Sequence, residues 1–374
     1  MEEESSMETK VIYIGAENIV SPLGNTTEDN FEEIRKGKSA LSLHSEDGFS
    51  CPYGKILNYD LLPELTKLES LMVHSIQSSL AQLNRDLEDS RTLLILSTTK
   101  GDIEHLAKGD VEKSKPTHLL EQVKSHLALK CSHTTISNAC ISGVLACIHG
   151  HDLIKQGAYD HVVVVGADLV SEFTYRGFES FFALSELPCR PFDQDRTGLS
   201  LGEGVATVVM SKDNRVYLKK PLAFLGGASA NDANHISGPS REGEGLFRAI
   251  TEAMKQAGTK SDQIDFVNAH GTATRYNDDM ESIAFHRAGL ELKAVNSFKG
   301  YYGHTLGAAG VLELVLSMQS MQNDTLIKSL GFENEGTAKP LNVIADNESK
   351  KIRTVLKTAS GFGGCNAAAI LQKI

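Results

Sequence analysis

The chain has 374 residues, 41% hydrophobic and 23% charged, with 32 glycines and only 9 prolines, which excludes a disordered or fibrous class and suits a globular protein. Its formal net charge of −11 disfavours nonspecific nucleic-acid binding and makes any acidic partner depend on a local basic patch. No run approaches the roughly 20 apolar residues that span a bilayer, and the acidic start MEEESSMETK lacks the apolar segment of a signal peptide.

Residues 1–10 read as a short flexible leader, with Met7 as an alternative start. Val11 to Gly15 is a short apolar strand, followed by the turn residues Ser21-Pro22-Leu23-Gly24-Asn25; Thr26 and Thr27 are both candidate caps for a helix from near Glu28 to Gly37. Residues 38–62 read as irregular. Apolar positions Leu68, Leu71, Met72, Ile76, Leu80 and Leu83 predict a long amphipathic helix over 65–87. Thr92–Ser97 reads as a buried strand, 100–115 as a surface excursion, and 117–129 as helix. Thr134-Thr135-Ile136 is a strand, Ser137-Asn138-Ala139 a cramped turn, and Ile141 to Ile148 a helix of small and apolar residues. His161 to Gly166 is the most clearly buried strand, 172–198 a long connection, and 199–210 two strands meeting at a glycine turn.

From about Val216 the grammar repeats. A strand near Leu222 leads through a polar loop (228–242) to a helix from Gly245 to Ala257. A strand at 264–268, a helix from Asp278 to Ala288, and Val295-Asn296-Ser297 before a second small-residue helix (306–315) follow. The chain closes with a strand at 353–358, a glycine turn (361–364) and an apolar strand to Leu371. We read an internal duplication with its boundary near 211–216, giving halves 11–213 and 214–374. Apolar, Val-rich strands alternating with helices imply sheets covered on both faces.

The chemistry centres on Cys140. At a strand-to-helix turn, free N–H groups and the helix dipole favour a thiolate; taken alone, the residue reads first as one more small buried hydrophobe. The six cysteines are scattered without a CxxC pair, against a zinc site or disulfide framework and for a reducing, cytoplasmic setting. Three stretches are unlike connecting loops. NAHGTAT puts His270 directly after a buried strand, where α/β folds place ligands. SFKGYYGH puts His304 five residues after Lys299 at the start of a small-residue helix. Gly361-Phe362-Gly363-Gly364 is a tight turn whose N–H groups suit a developing negative charge. Either histidine alone is more often structural than catalytic.

Taken together, these motifs resemble the β-ketoacyl-acyl-carrier-protein synthases of the thiolase-like superfamily, nearest the class that extends an existing acyl chain. The resemblance covers nearly the whole chain: Ser21-Pro22-Leu23-Gly24-Asn25, Asn138-Ala139-Cys140-Ile141-Ser142-Gly143, Arg190-Pro191-Phe192-Asp193, Leu201-Gly202-Glu203-Gly204, NAHGTAT, KGYYGHTLGAAG and GFGG. The cysteine–histidine–histidine set separates it from chain-initiating and chalcone-type synthases, which use asparagine at the second histidine, and from thiolases, which use a second cysteine.

The resemblance implies an α/β thiolase-like fold of two duplicated mixed-sheet halves in a layered αβαβα arrangement, the first carrying the nucleophile and the second both histidines. It implies an acyltransferase that joins malonyl-carrier, with loss of carbon dioxide, to an acyl group held on Cys140. The N–H groups of Cys140 and Phe362 would form the oxyanion hole, and Phe362 would gate the acyl and malonyl sites. Neutral His270 and His304 would hold the malonyl carbonyl, with Lys299 beside them disfavouring imidazolium. Asp278 and Glu281 would support Lys299 and the local network; as plain sequence they also suit a solvated helix N-terminus. No metal and no cofactor of its own is expected, since substrates arrive on the phosphopantetheine of an acyl carrier protein. A homodimer is expected, with a heterodimer beside a chain-length-determining subunit as the alternative; no nucleic acid and no membrane span enter.

The chain departs from the family pattern at Arg275-Tyr276-Asn277, at Ser360 and Cys365, and in a shortened stretch from Thr99 to Thr134. Of the basic residues usual for carrier docking, the predicted helix near Leu65 offers only Lys67 in its first turns. These departures leave chain length, unsaturation and carrier open and point to a specialised pathway rather than housekeeping fatty-acid synthesis, within an expected role in fatty-acid or specialised lipid or polyene (type II polyketide-like) biosynthesis. A non-catalytic partner subunit would lack the cysteine. A cysteine hydrolase would leave His304, Lys299 and the glycine turn without a purpose.

Overall fold

The structure, a computed structural model, describes residues 11–46, 49–232 and 240–374. The expected leader, with Met7, and the 233–239 part of the polar loop lie outside the described residues. The main strands are β1 (Ile12–Val20), β2 (Thr92–Ser97), β3 (Ser132–Ile136), β4 (His161–Asp168), β5 (Gly204–Ser211), β6 (Leu222–Asn231), β7 (Phe266–Asn268), β8 (Ala294–Asn296), β9 (Asn342–Val343), β10 (Thr354–Gly361) and β11 (Cys365–Gln372). The helices used below are α1 (Thr27–Arg35), α2 (Lys67–Leu80), α3 (Pro116–His126), α4 (Ser142–Lys155), α5 (Glu172–Ser180), α6 (Glu244–Gln256), α7 (Arg275–Arg287) and α8 (Ala309–Gln322).

The strands hydrogen-bond in the order β9-β8-β7-β10-β11-β6-β1-β5-β4-β2-β3. Outward from its middle, each half runs first, fifth, fourth, second, third strand, and β9 is added at one edge. Pair directions agree as well: β1–β5 and β5–β4 are antiparallel and β4–β2 and β2–β3 parallel, matched by β6–β11, β11–β10, β10–β7 and β7–β8. Two halves with one connectivity are the structural form of the duplication. They are joined by a short antiparallel pairing of β1 with β6.

Helices α4 and α8 follow the third strand of each half and pack on each other and on strands of both halves, so they form the middle layer. Every residue from Ala309 to Met321 is buried, as an element covered all round requires. Outside, α2 with α3 covers β1, β5 and β4, and α6 with α7 covers β6, β11 and β10. This gives the αβαβα order. The two central helices meet backbone to backbone near their starts. A Cβ on Gly143 would stand 2.7 Å from the Val311 nitrogen, and one on Gly310 2.4 Å from the Val144 nitrogen. Alanine at either would wedge the helices apart. This contact brings the two helix starts, and the residues just before them, to one place.

Several elements differ from expectation. Residues 38–62 hold a hairpin, Leu41–Glu46 with Phe49–Gly54, which Pro52 and the many polar residues disguise. The connection after 172 contains α5, capped by Ser171. In the first half β5 pairs antiparallel with β1 and with β4, the latter reached across a long connection; Leu201–Gly202 pairs instead with the hairpin, so no glycine-turned pair closes that half. The helix from Lys67 stops at Leu80, before the predicted end at 87. Thr26 is the cap of α1, accepting from the Asp29 N–H. Among the described residues no helix is long and apolar enough to cross a membrane.

Candidate active site

Cys140 stands between β3 and α4. Ala139 before it has a φ of +45°, a left-handed conformation costly for a residue with a side chain and one that clusters at functional sites. Ser142 holds the turn, accepting from the Asn138 N–H (2.7 Å) and donating to the Ala139 carbonyl (2.7 Å). The Phe362 N–H, from the turn between β10 and β11, faces the Cys140 sulfur. Gly361 must be glycine for space: its Cβ would lie 3.0 Å from the Cys140 nitrogen and 2.9 Å from the Cys365 sulfur.

His270 follows β7. Glu281 on α7 clasps its loop, one carboxylate oxygen accepting from the His270 N–H (2.8 Å) and the other from the Gly271 N–H (2.7 Å). Gly271 has φ +44°, and a Cβ there would meet Ser297 at 2.5 Å. Asp278 accepts from the Thr272 N–H (3.1 Å) and the Phe192 N–H (2.8 Å), tying the Arg190-Pro191-Phe192-Asp193 motif to the histidine loop. His304 is set by the backbone between Gly303, at φ +75°, and the short helical turn that opens α8. Its N–H donates to the Ser200 carbonyl at 2.7 Å.

The sulfur and ring-nitrogen donor atoms of Cys140, His270 and His304 lie within 4.8 Å of one another, all three residues buried. The imidazoles meet edge to face, centroids 5.1 Å apart. The Leu306 N–H donates to His304 Nδ1 (3.3 Å), which puts the proton of the neutral ring on Nε2; that buried Nε2 has no partner among the described residues. Lys299 Nζ lies 3.3 Å from His270 Nδ1, fixing the same tautomer, and donates to the His270 carbonyl (2.5 Å). Both rings therefore present an Nε2–H. Burial first, then Lys299, holds each well below the ordinary histidine range.

Electrostatics also revise the thiol. Burial pushes Cys140 up to about 12, with Cys365 adding to the rise and Lys299 only partly opposing it. Desolvation outweighs the Lys299 charge and the Phe362 N–H, which favours the thiol, in the opposite direction to the pull expected of the helix start. Cys–His–His is a ligand set for a soft divalent ion, but the Lys299 ammonium beside the rings and a thiol that would first have to lose its proton suit a dication poorly.

Lys299 is supported differently from expectation. Its carboxylate partner is Glu313 on α8, at 2.7 Å, and the other Glu313 oxygen accepts from Lys357 on β10, also at 2.7 Å. Neither Glu313 nor Lys357 stood out in the sequence reading. The available signal was a lone acid in the apolar run of α8 and a lone cation in the apolar run of β10, each of which must find a counter-charge. Glu281 and Asp278 instead brace the backbone of the His270 loop. Burial raises Asp278 to about 6, and burial with the neighbouring Asp278 raises Glu281 to about 7, against the N–H donors that favour its charged form.

A cavity of about 540 Å³ opens onto the site, lined by Cys140, His270, His304 and Phe362 and by Phe178 and Phe181 at the end of α5. Both rings pack on Phe362, at 5.3 and 5.1 Å. These aromatics were hidden in the stretch read as connection. A larger cavity of about 780 Å³, lined among others by Tyr53, Lys67, Asp102 and Glu203, contains none of the three. Lys67 is bound there to Glu203 at 2.7 Å, so it is not a free cation for a docking patch.

Residues 98–215 match the family model described as beta-ketoacyl synthase, N-terminal domain, and residues 222–333 the one described as beta-ketoacyl synthase, C-terminal domain. The tetracenomycin polyketide synthase ketoacyl synthase alpha subunit of Streptomyces glaucescens is 32% identical over 273 residues, 69% of this chain and 64% of that protein. The 3-oxoacyl-[acyl-carrier-protein] synthase 2 of Coxiella burnetii is 27% identical over 417 residues, covering 98% of this chain and 100% of that one. Among solved structures, the ketosynthase (ApeO) in complex with its chain length factor (ApeC) from Xenorhabdus doucetiae superposes with a TM-score of 0.88 at 26% identity, over 97% of this chain and 98% of that one.

Proposed function

The chain belongs to the β-ketoacyl synthase family of carbon–carbon bond-forming acyltransferases, and on that premise we propose that Cys140 carries the acyl group while His270 and His304 activate malonyl-carrier. The observation that carries this reading is the convergence of one thiol and two neutral imidazoles within 4.8 Å, with the His304 Nε2 buried and unpartnered. The halves 11–213 and 214–374 contribute the nucleophile and the histidines respectively. The cytoplasm is the setting this reading assigns.

The Cys140 sulfur attacks the carbonyl carbon of an acyl thioester, and its proton leaves with the departing carrier thiol. Malonyl-carrier then binds with its thioester oxygen at the two Nε2–H groups. As the carboxylate leaves as carbon dioxide, the electron pair of the broken C–C bond enters the enolate, whose oxygen both imidazoles hold. The enolate carbon attacks the acyl-enzyme. The tetrahedral oxyanion is held by the N–H groups of Cys140 and Phe362, where one lost donor costs about 2.7–4 kcal/mol of barrier. Cys140 then departs as the thiolate and takes up from water the one proton that the overall condensation consumes. Lys299 disfavours imidazolium, Glu281 and Asp278 hold the His270 loop, and Phe362, packed between Phe178 and Phe181, gates the cavity. Substrates arrive on the phosphopantetheine of an acyl carrier protein, and no cofactor of the chain's own is required.

A homodimer is the leading assembly. The half-exposed edge strand β3 offers a pairing surface, and a heterodimer with a chain-length-determining relative is the alternative. Sedimentation of the chain alone separates the two. The catalytic reading is tested by assaying Cys140→Ala with acyl- and malonyl-carrier. Condensation should vanish while malonyl decarboxylation persists; condensation that survives without the thiol, or a wild type that does neither, removes the reading.

A further inference from the structure

A buried carboxylate needs one cation, and Glu313 has two. Lys299 takes one oxygen and Lys357 the other, each at 2.7 Å, and both lysine side chains are fully inaccessible. Lys357 Nζ also donates to the Thr358 carbonyl at 2.6 Å. Lys357 lies opposite Asn268 in the parallel pairing of β10 with β7, the strand that delivers His270. Taking a second ammonium out of water costs several kcal/mol. Lys299 alone already neutralises Glu313, so packing and charge balance would both be met by an apolar residue at 357.

We propose, building on the condensing reading, that Lys357 is a positioning residue of the reaction: it fixes Glu313 against Lys299 and leaves the buried cluster one positive charge in excess beside the two histidines. That excess acts where the enolate oxygen gains its charge. The charged and titratable groups around the rings are Lys299 from the segment after β8, Glu313 from α8, Lys357 from β10, Asp278 and Glu281 from α7, and Cys140 before α4. The two acids on α7 accept from backbone N–H groups of the His270 loop, and burial raises the Cys140 thiol, which favours its uncharged form. The lysines are therefore the cations at the rings, and after burial both contribute to holding His270 and His304 in the neutral, donating form.

The test compares Lys357→Met, which removes the charge, with Lys357→Gln, which keeps an N–H donor for Glu313 without it. Histidine-labelled protein is titrated by NMR, with His270 and His304 assigned through His270→Asn and His304→Asn. In both variants the two imidazoles should titrate about 1 pH unit higher than in the wild type, the low end of what a neighbouring charge does. The acid limb of malonyl-carrier decarboxylation should rise by the same amount. Coincident titrations in the wild type and the folded variants overturn the role of Lys357, whatever the activity. Should Lys357→Met not fold, Lys357→Gln decides. A wild type that fails to decarboxylate malonyl-carrier overturns the condensing reading instead, and the titration still scores Lys357.

Discussion

Replacing Glu313 by Gln perturbs the cluster at its most exposed point energetically. The side chain keeps its size but can no longer neutralise either lysine, so two fully buried ammonium groups lose their counter-charge. Breaking a buried pair by removing one partner costs ~3–5 kcal/mol. With an unfolding entropy of ~2.1 cal/mol/K per residue over the 374 residues, that is a fall in melting temperature of ~4–6 °C. The assay is a thermal melt at pH 7.5 of the wild type, Glu313→Gln, Lys357→Met and the double variant. The double variant leaves one uncompensated ammonium where the single Glu313→Gln leaves two, so it should melt above that single variant. A Glu313→Gln melt within ~1 °C of the wild type, or a double variant that loses the sum of both single effects, would refute the described cluster.

The raised carboxyl of Glu281 makes stability pH-dependent. Its folded value, about 7 from burial and Asp278 against an ordinary 4.5, means that the folded state holds the proton more tightly. Its contribution is full below the unfolded value and is lost as pH rises through 7; the wild type minus Glu281→Gln stability difference should fall by roughly 2–3 kcal/mol from pH 5 to 8. Denaturant midpoints at the two pH values check this, and parallel profiles would sink it. Iodoacetamide should reach Cys140, which lines the cavity, before the other cysteines, at a rate still climbing about tenfold per pH unit between 7 and 9 because the thiol titrates so high. A rate plateau near pH 7, or first labelling at Cys365, contradicts the buried thiol. Gly361→Ala should fold yet slow condensation by about 10²-fold, the effect of a displacement of about 1 Å at a reacting group; unchanged kcat would show that the turn has slack.

Much of this architecture is legible in the sequence because local patterns and tertiary demands agree. Thr92–Ser97 holds an unbroken apolar run from Leu93 to Leu96, and Glu244–Gln256 carries one apolar face. Cys140, His270 and His304 are legible because each sits in a glycine-rich junction that ordinary packing does not need. The helix Glu172–Ser180 escaped because its large residues face a cavity and solvent rather than a core stripe, Phe173 among them. The hairpin from Leu41 to Gly54 escaped because serines break up its first strand and Pro52 interrupts its second. Glu313 and Lys357 escaped for a different reason. They lie 44 residues apart in sequence, and only the fold makes partners of them. The burial that raises the Cys140 thiol is likewise a property of the fold and is not written in the local sequence.

The acyl group on Cys140 is the centre of the account. Intact-protein mass spectrometry after incubation with acyl-carrier protein, without malonyl-carrier, tests it most directly. One acyl mass per chain should load, localise to the peptide containing Cys140, and discharge when malonyl-carrier is added. A stable load on another cysteine, or loading that persists in Cys140→Ala, would contradict the account.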